Sequence, residues 1–384
     1  MHDGAVRPRA RKSISARERK RACDKLLSIR ASYQPTIFSR AAPWLDWSGA
    51  SCSIRATTPF RMTRARRNRA RRGISSMQLR VIDLDGSLLL QPAISERLSE
   101  GRACLADFRH AGPHLRVLAS QRRIAGFVAG LDRAFGRPGG DPEIFLYGSG
   151  DFHHLSAALI SRLREPVTVV HFDNHPDWCR LPATFNCGGW VNRALDLPHV
   201  TRVVTIGPCS ADFVRPEWQT ANLPAVAAGR LEVYPWRAAP SKVWMRYPDT
   251  RCCRFADGAI HWRNLADEAW GDFLDEMIAR LPATALWITI DKDVLSPAEA
   301  TTNWDQGQMP LDLVIAAVER LAANGRIAGI DVCGEHSPPV FAGWIRTAIA
   351  NFDNPSGAAP SPEALAINAA SNSRLLSAFE RVLG

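Results

Sequence analysis

The chain has 384 residues, 46% of them hydrophobic, and a formal net charge of +10. This length and apolar content suit a soluble globular protein with a large core, and no stretch approaches the apolar run of a membrane-spanning helix or of a secretory signal. The charge suggests nucleic acid or an anionic membrane only until it is located: residues 1–76 hold 19 Lys and Arg against four acids (Asp3, Glu18, Asp24, Asp46), a local +15 that leaves −5 for residues 77–384.

The basic leader contains RARRNRARR (64–72) and no sustained apolar periodicity, and the first strand pattern follows directly on Met77. An organellar transit segment and a nucleic-acid-binding arm both use such a composition. The simpler reading is a disordered leader with the functional start at Met77, so that 77–384 is one domain and its body binds neither nucleic acid nor membrane.

From there short β-branched runs alternate with amphipathic ones, as in repeated βα units around a mostly parallel sheet. The predicted strands are LRVIDL (79–84), EIFLY (143–147), VTVVHF (167–172), RVVTI (202–206), KVWMR (242–246), ALWITI (285–290) and RIAGIDV (326–332). Helices are predicted over 121–135, 155–164, 265–280, 311–323, 341–351 and 362–382; for the fourth, Pro310 and Asp312 suit a first turn and Asn324-Gly325 a stop. The nine cysteines show no paired metal spacing and no disulfide framework, which fits a reducing cytoplasm.

Ligands of such sheets bind beyond the carboxyl ends of the strands. Four predicted strand ends carry carboxylates and imidazoles: Asp151, His153 and His154 in GSGDFHH; Asp173, His175 and Asp177 in HFDNHPD; Asp291 and Asp293 in DKD; Glu335 and His336 in GEH. Side chains two apart on an extended segment share a side, so Asp173, His175 and Asp177 converge if the strand geometry persists. Carboxylates this dense repel one another unless a cation neutralises them, and carboxylate plus imidazole without thiolate suits a divalent ion such as Mn²⁺. Between two such ions a bridging water ionises near neutral pH and can attack an electrophilic carbon. Each piece alone is ordinary, since a D-x-D commonly caps a helix and a lone D-x-H-x-D is commonly a solvated loop; the expectation of a metal site rests on their combination.

GSGDFHH, HFDNHPD, TIDKDVLSP and GIDVCGEHSPP resemble the successive signatures of the arginase, agmatinase and formimidoylglutamase family, the ureohydrolases, over roughly 140–340. The resemblance implies an α/β fold with three α-β-α layers around a mostly parallel sheet, and a binuclear manganese centre. It implies that Asp173 and Asp291 bridge two metal ions, that His153, His175, Asp177 and Asp293 complete their shells, and that Glu335 receives the guanidinium of a small cationic substrate. A closed homo-oligomer would also resemble the family. There are departures. Phe152 separates Asp151 from the histidines, leaving His154 as an alternative ligand to His153, and the segment before Glu335 is one residue longer. The loop LPATFNCGGWVNR (181–193) lacks the family's proton-transferring histidine. His336 or His154 is the expected substitute, with Asn186, Trp190 and Arg193 lining the pocket. The expected function is a metal-dependent hydrolase that cleaves a linear C–N bond of a guanidino, amidino or amide compound through a metal-bridging hydroxide.

Two alternatives stand beside it. One is a scaffold of this kind kept for binding alone. The other comes from VIDLDGSLL (81–89), which resembles the nucleophile signature of haloacid-dehalogenase-type phosphohydrolases, with Asp83 attacking phosphorus and Asp85 as acid/base. Its plain structural reading is a strand turning at Asp85-Gly86.

Overall fold

The computed structural model describes residues 78–342 and 359–384. The leader and all but the start of the predicted helix 341–351 lie outside the described residues. Runs such as VTVVHF and ALWITID are apolar or β-branched at nearly every position, the mark of strands covered on both faces. They form a sheet of eight strands: β1 (Gln78–Asp83), β2 (Ala103–Asp107), β3 (Glu143–Leu146), β4 (Val167–Phe172), β5 (Val200–Ile206), β6 (Leu231–Tyr234), β7 (Ala285–Asp291) and β8 (Ile327–Cys333). All pair in parallel, in the order β2-β1-β3-β8-β7-β4-β5-β6. Every residue of β3, β4, β7 and β8 is buried.

Helices α1 (Pro92–Ser99), α2 (Gln121–Phe135), α3 (Leu155–Ile160), α4 (Trp190–Leu195), α5 (Trp270–Ile278), α6 (Leu311–Asn324) and α7 (Pro362–Leu383) flank this sheet. They pack in two series, α1 on α7, α7 on α6 and α6 on α5, and separately α2 on α3 and α3 on α4. The architecture is the expected α/β fold, with helices around a parallel sheet.

Some elements differ from the sequence reading. KVWMR is not a strand of this sheet: only Ser241–Lys242 pairs, in a small antiparallel sheet with Ala259–Trp262, and Trp244 and Met245 stand exposed. The strands β2 and β6 went unread. β2 buries only its first and fourth residues and has no β-branched side chain, while β6 is four residues long. The helices α1 and α4 are too short for a period to show, at eight and six residues. By contrast α2 spans the predicted range, and α6 follows Pro310, which takes an extended φ of −67° and ψ of 139° as its N-cap.

One buried ion pair ties the sheet to the helical layer. Lys292 is 0% exposed and Glu335 2%, and the Lys292 Nζ is bonded to the Glu335 carboxylate. The same carboxylate accepts from Gln91 at 3.2 Å and from Asn368 and Asn372 on α7 at 3.0 and 2.7 Å. A buried pair is tolerated only when its remaining hydrogen-bonding capacity is filled, as it is here. Lys292→Met should therefore lower unfolding stability by about 3–5 kcal/mol, because it strands a buried carboxylate. The double substitution Lys292→Met with Glu335→Leu should recover most of that loss in urea titrations, whereas a double variant as weak as the sum of the singles would contradict this account.

Candidate metal centre

The four fully buried strands are neighbours in space, β3-β8-β7-β4, although they come from separate parts of the chain. Their carboxyl ends therefore meet, and the residues just after each strand are brought to a single rim. After β3 the chain enters a short turn, Gly150–Phe152, where Ser149 Oγ accepts from Asp151 N at 3.2 Å, and His153 comes next. After β4 the strand geometry stops at Phe172 instead of persisting through the D-x-H-x-D segment. The Asp173 carboxylate accepts from His175 N at 2.6 Å, and Asp177 takes a positive φ of 46°. A tight turn, not strand alternation, gathers these three side chains. After β7, Asp291 caps the turn Lys292–Val294 by accepting from Asp293 N at 3.1 Å.

The result is a cavity of about 330 Å³ whose wall includes His153, Asp173, His175, Asp177, Asp291 and Asp293, together with Cys187, Asp212, Trp304 and Asp305. His153 Nδ1 lies 2.8, 3.4 and 3.5 Å from carboxylate oxygens of Asp173, Asp177 and Asp291. His175 Nδ1 lies 3.0 Å from Asp293 and 3.4 Å from Asp173. Ligand atoms of His153, His171, Asp173 and Asp177 fall within 4.8 Å of one another, as do those of Asp173, His175 and Asp293, so Asp173 belongs to both groups. Room for Asp291 depends on two glycines. A Cβ at Gly150 or at Gly334, whose φ is +93°, would sit 2.5 Å from an Asp291 carboxylate oxygen.

Hydrogen bonds behind the wall set the ring orientations. Thr289 Oγ1 donates to Asp331 at 2.7 Å and so accepts the Nε2–H of His153 at 3.0 Å, which turns Nδ1 toward the cavity. Asp331 is itself held by Tyr147 and Ser156 at 2.8 and 2.9 Å. His175 is arranged in the same sense, because its Nε2–H donates to Asp305 at 3.0 Å. Asn174 anchors that aspartate through its backbone carbonyl at 2.9 Å and its carboxylate at 3.1 Å.

Crowding sets the electrostatics. Burial raises Asp177 and Asp293 well above the usual carboxylate range, and the Asp173 charge adds to both; burial raises Asp291 as well. Burial would also raise Asp173, but the imidazoles of His153, His171 and His175 beside it hold it well below that range. Burial pushes His171 down to about 4. It is therefore a neutral ring that donates from Nε2 to Asp173 at 2.9 Å and accepts the Thr205 hydroxyl at Nδ1 at 3.1 Å. Oxygen and imidazole donors at this density suit divalent ions of the borderline and hard kind. The fit has a second mark. His153 Nδ1 is buried and aimed at three carboxylates without an aligned hydrogen bond. Cys333 is no thiolate ligand, since burial pushes its thiol well up and it donates to Asp291 at 3.2 Å.

Other expected site residues stand elsewhere. His154 is fully buried at the start of α3 and does not line the cavity, whereas His153 does. Glu335 is off the cavity because Gly334 turns the chain after β8: Glu335 N bonds Gly148 O at 3.0 Å and the side chain points to Lys292. His336 is half-buried and lies outside the cavity lining, its basicity lowered by burial and by Arg116. Asn186 closes the 182–186 turn by donating to Pro182 O and Thr184 O at 3.1 Å each. Arg193 pairs with Asp196 at 3.1 Å on the α4 surface. Trp190 is 0% exposed and lines nothing; its Nε1 donates to Asp177 at 2.7 Å and its ring packs 5.0 Å from those of His153 and His171. The phosphohydrolase reading fails on geometry. Asp83 accepts from Gly86 N at 2.8 Å and Arg109 at 2.5 Å, and Asp85 from Ser87 and Ser337 hydroxyls at 2.6 and 2.7 Å, all away from the cavity.

Among the cavity residues that went unread are Asp212, Trp304 and Asp305. Asp212 lies after β5, so surveying one more strand end would have found it. Trp304 and Asp305 sit in a loop with no period or motif; the Trp304 ring meets that of His175 edge-on at 5.8 Å, and its Nε1 bonds Asp151 at 3.0 Å.

Fold and site together define an α/β protein that gathers carboxylates and imidazoles at the carboxyl rim of a parallel sheet. No family model matches the chain. A curated relative, an uncharacterized protein of Thermotoga maritima, is 24% identical over 198 residues, which are 52% of this chain and 60% of that protein. The match thus spans less than two thirds of the relative's length. Among solved structures the chain resembles an arginase from Medicago truncatula (15% identity, 81% of this chain and 89% of that one, TM-score 0.48). It also resembles an arginase from Bacillus subtilis (14%, 79% and 98%, TM-score 0.47) and the agmatine ureohydrolase of Thermoplasma volcanium (15%, 82% and 96%, TM-score 0.41). At these identities the likeness is one of fold.

If the cluster holds metal, elemental analysis of wild-type protein should find close to two divalent ions per chain, lost in Asp173→Ala and Asp291→Ala. Trp190→Phe and Asp305→Ala, which remove partners of Asp177 and His175, should weaken loading by roughly 10- to 100-fold without unfolding the protein. Unchanged affinity in both would show that these partners do not tune the site.

Proposed function

We propose that the protein is a metal-dependent hydrolase that cleaves a linear C–N bond. The observation that supports this most is the convergence of two imidazoles and four carboxylates from three strand ends on one cavity, with the non-coordinating edge of each imidazole already held by the protein. In this reading His153, Asp173, His175, Asp177, Asp291 and Asp293 would hold two divalent ions, Mn²⁺ by resemblance. Bound there, such ions supply Lewis acidity and a water ionised near neutral pH, which is the nucleophile hydrolysis needs.

The remaining steps belong to the chain. Trp190 keeps Asp177 in register, and Thr289 and Asp305 keep both imidazoles turned inward. Trp304 lines the cavity beside His175, its ring edge-on to the imidazole. The proton given up by water needs an acceptor on the wall. Burial and Asp177 keep the Cys187 thiol well above its ordinary range, so it stays protonated, and His336 lies off the cavity. Asp177 and Asp305 are the side chains placed to take that proton. A reducing, cytoplasmic setting and a homo-oligomer complete the reading; no helix among the described residues is long and apolar enough to cross a membrane.

Protein loaded with Mn²⁺ should hydrolyse members of a panel of guanidino, amidino and amide compounds, and Asp291→Ala should fall by at least a thousand-fold. Loaded wild-type protein inert across the whole panel would favour the binding-only alternative.

A further inference from the structure

We propose that Cys252 and Cys253 form a redox-active dithiol, which a small hydroperoxide oxidises to a disulfide between adjacent residues, and that its state is felt behind the segment 173–177. The inference stands apart from the hydrolase reading, because it needs neither the cavity nor a bound metal. Successive side chains on an extended strand point to opposite faces, so neighbouring thiols ordinarily diverge. Here they do not. Thr250 Oγ1 lies 3.3 Å from Cys252 Sγ and 3.3 Å from Cys253 Sγ, so the turn that opens the strand Cys253–Ala256 brings both sulfurs to one hydroxyl. Thr250 N closes that turn by donating to Cys253 O at 2.9 Å.

The two sulfurs are unequal, as this chemistry requires. The Cys252 thiol donates to the Cys253 sulfur, which holds Cys253 down at about 7, while the same bond and burial push Cys252 well up. Cys253 is therefore the nucleophile and Cys252 the thiol in reserve. Cys253 is 6% and Cys252 1% exposed, but Pro248, Asp249, Arg251 and Arg254 around them in sequence are exposed, so a molecule the size of hydrogen peroxide has little protein to cross.

The step balances with the peroxide as oxidant. The Cys253 thiolate attacks one peroxide oxygen; an S–O bond forms, the O–O bond breaks, and the departing oxygen leaves as water with the proton Cys253 gave up. Cys252 then attacks the Cys253 sulfur. The S–S bond forms, the S–O bond breaks, and the hydroxyl leaves as a second water with the Cys252 proton. Two thiols lose two electrons and one peroxide gains them. Adjacent Cα atoms lie about 3.8 Å apart, below the roughly 4.4–6.8 Å of ordinary disulfides, so the bond formed is strained and readily reduced again.

Its effect travels through packed aromatic rings. Cys253 pairs with Trp262 in the small antiparallel sheet, and Arg263 N donates to Cys252 O at 2.9 Å. A ring closed across the 252–253 peptide fixes that backbone and disturbs this pairing. The Trp262 ring lies 5.6 Å from that of Trp178, which follows Asp177 in sequence, and 5.2 Å from that of Phe213. Trp178 is 0% exposed, and a close-packed interior passes such a shift on.

The test uses the full chain as purified, reduced first and then treated with hydrogen peroxide, alkylated and mapped by peptide mass spectrometry. The peptide carrying Cys252 and Cys253 is expected to lose two hydrogens about ten-fold faster than the exposed Cys104 is oxidised, and to regain them with a thiol reductant. Cys252→Ser should stop the reaction at a sulfenic acid on Cys253, trapped by dimedone, whereas Cys253→Ser should leave Cys252 reduced. In oxidised wild-type protein, amide hydrogen exchange across 171–180 should rise roughly three-fold or more over the reduced form. A pair that stays reduced while Cys104 oxidises would overturn the redox assignment. A disulfide formed with exchange at 171–180 unchanged would overturn the link to that segment.

Discussion

Mutual repulsion among buried carboxylates is the constraint on which the rest of this structure depends. Asp173, Asp177, Asp291 and Asp293 meet where water screens them poorly, and burial together with the charge of Asp173 raises the other three. Two imidazoles face the same point, and a neutral His171 braces Asp173 from behind. Every outward-facing edge of these rings is tied to a hydroxyl or a carboxylate. Such a cluster would be strongly unfavourable as plain structure. It becomes intelligible as a place where cations are brought to a prepared set of donors.

That arrangement was legible in the sequence to the extent that it depends on strand ends. Buried parallel strands announce themselves as unbroken apolar runs, and the residues after them are read off directly, which is why β3, β4, β7 and β8 and the side chains at their ends were placed. Convergence within HFDNHPD was expected for the wrong reason, since an aspartate-capped turn replaces the extended strand. What the pattern could not carry were effects of a single inserted residue or of long-range pairing. Gly334 redirects Glu335, and only the fold shows Lys292 waiting for it. Trp190 looked like a pocket wall and is a brace; Asp305 had no local signal at all, because its partner lies 130 residues away.

The buried Lys292 to Glu335 pair and the open cavity also divide the labour of the motifs. In TIDKDVLSP the two aspartates face the cavity while the lysine between them faces the helical layer, so one short turn serves the donor cluster on one side and cohesion on the other. Residues that sit side by side in sequence thus belong to different physical problems, and a motif read as a unit conceals the division.

The strand order has a temporal meaning. β8, the last of the eight strands in sequence, lies between β3 and β7, so the centre of the sheet is filled only after the other seven strands have been made. Contacts of such sequence separation form slowly. Gly334, which shapes the space around Asp291, and Asp331, which orients His153 through Thr289, arrive with or just after that strand. The donor set is therefore incomplete until β8 has taken its place between β3 and β7.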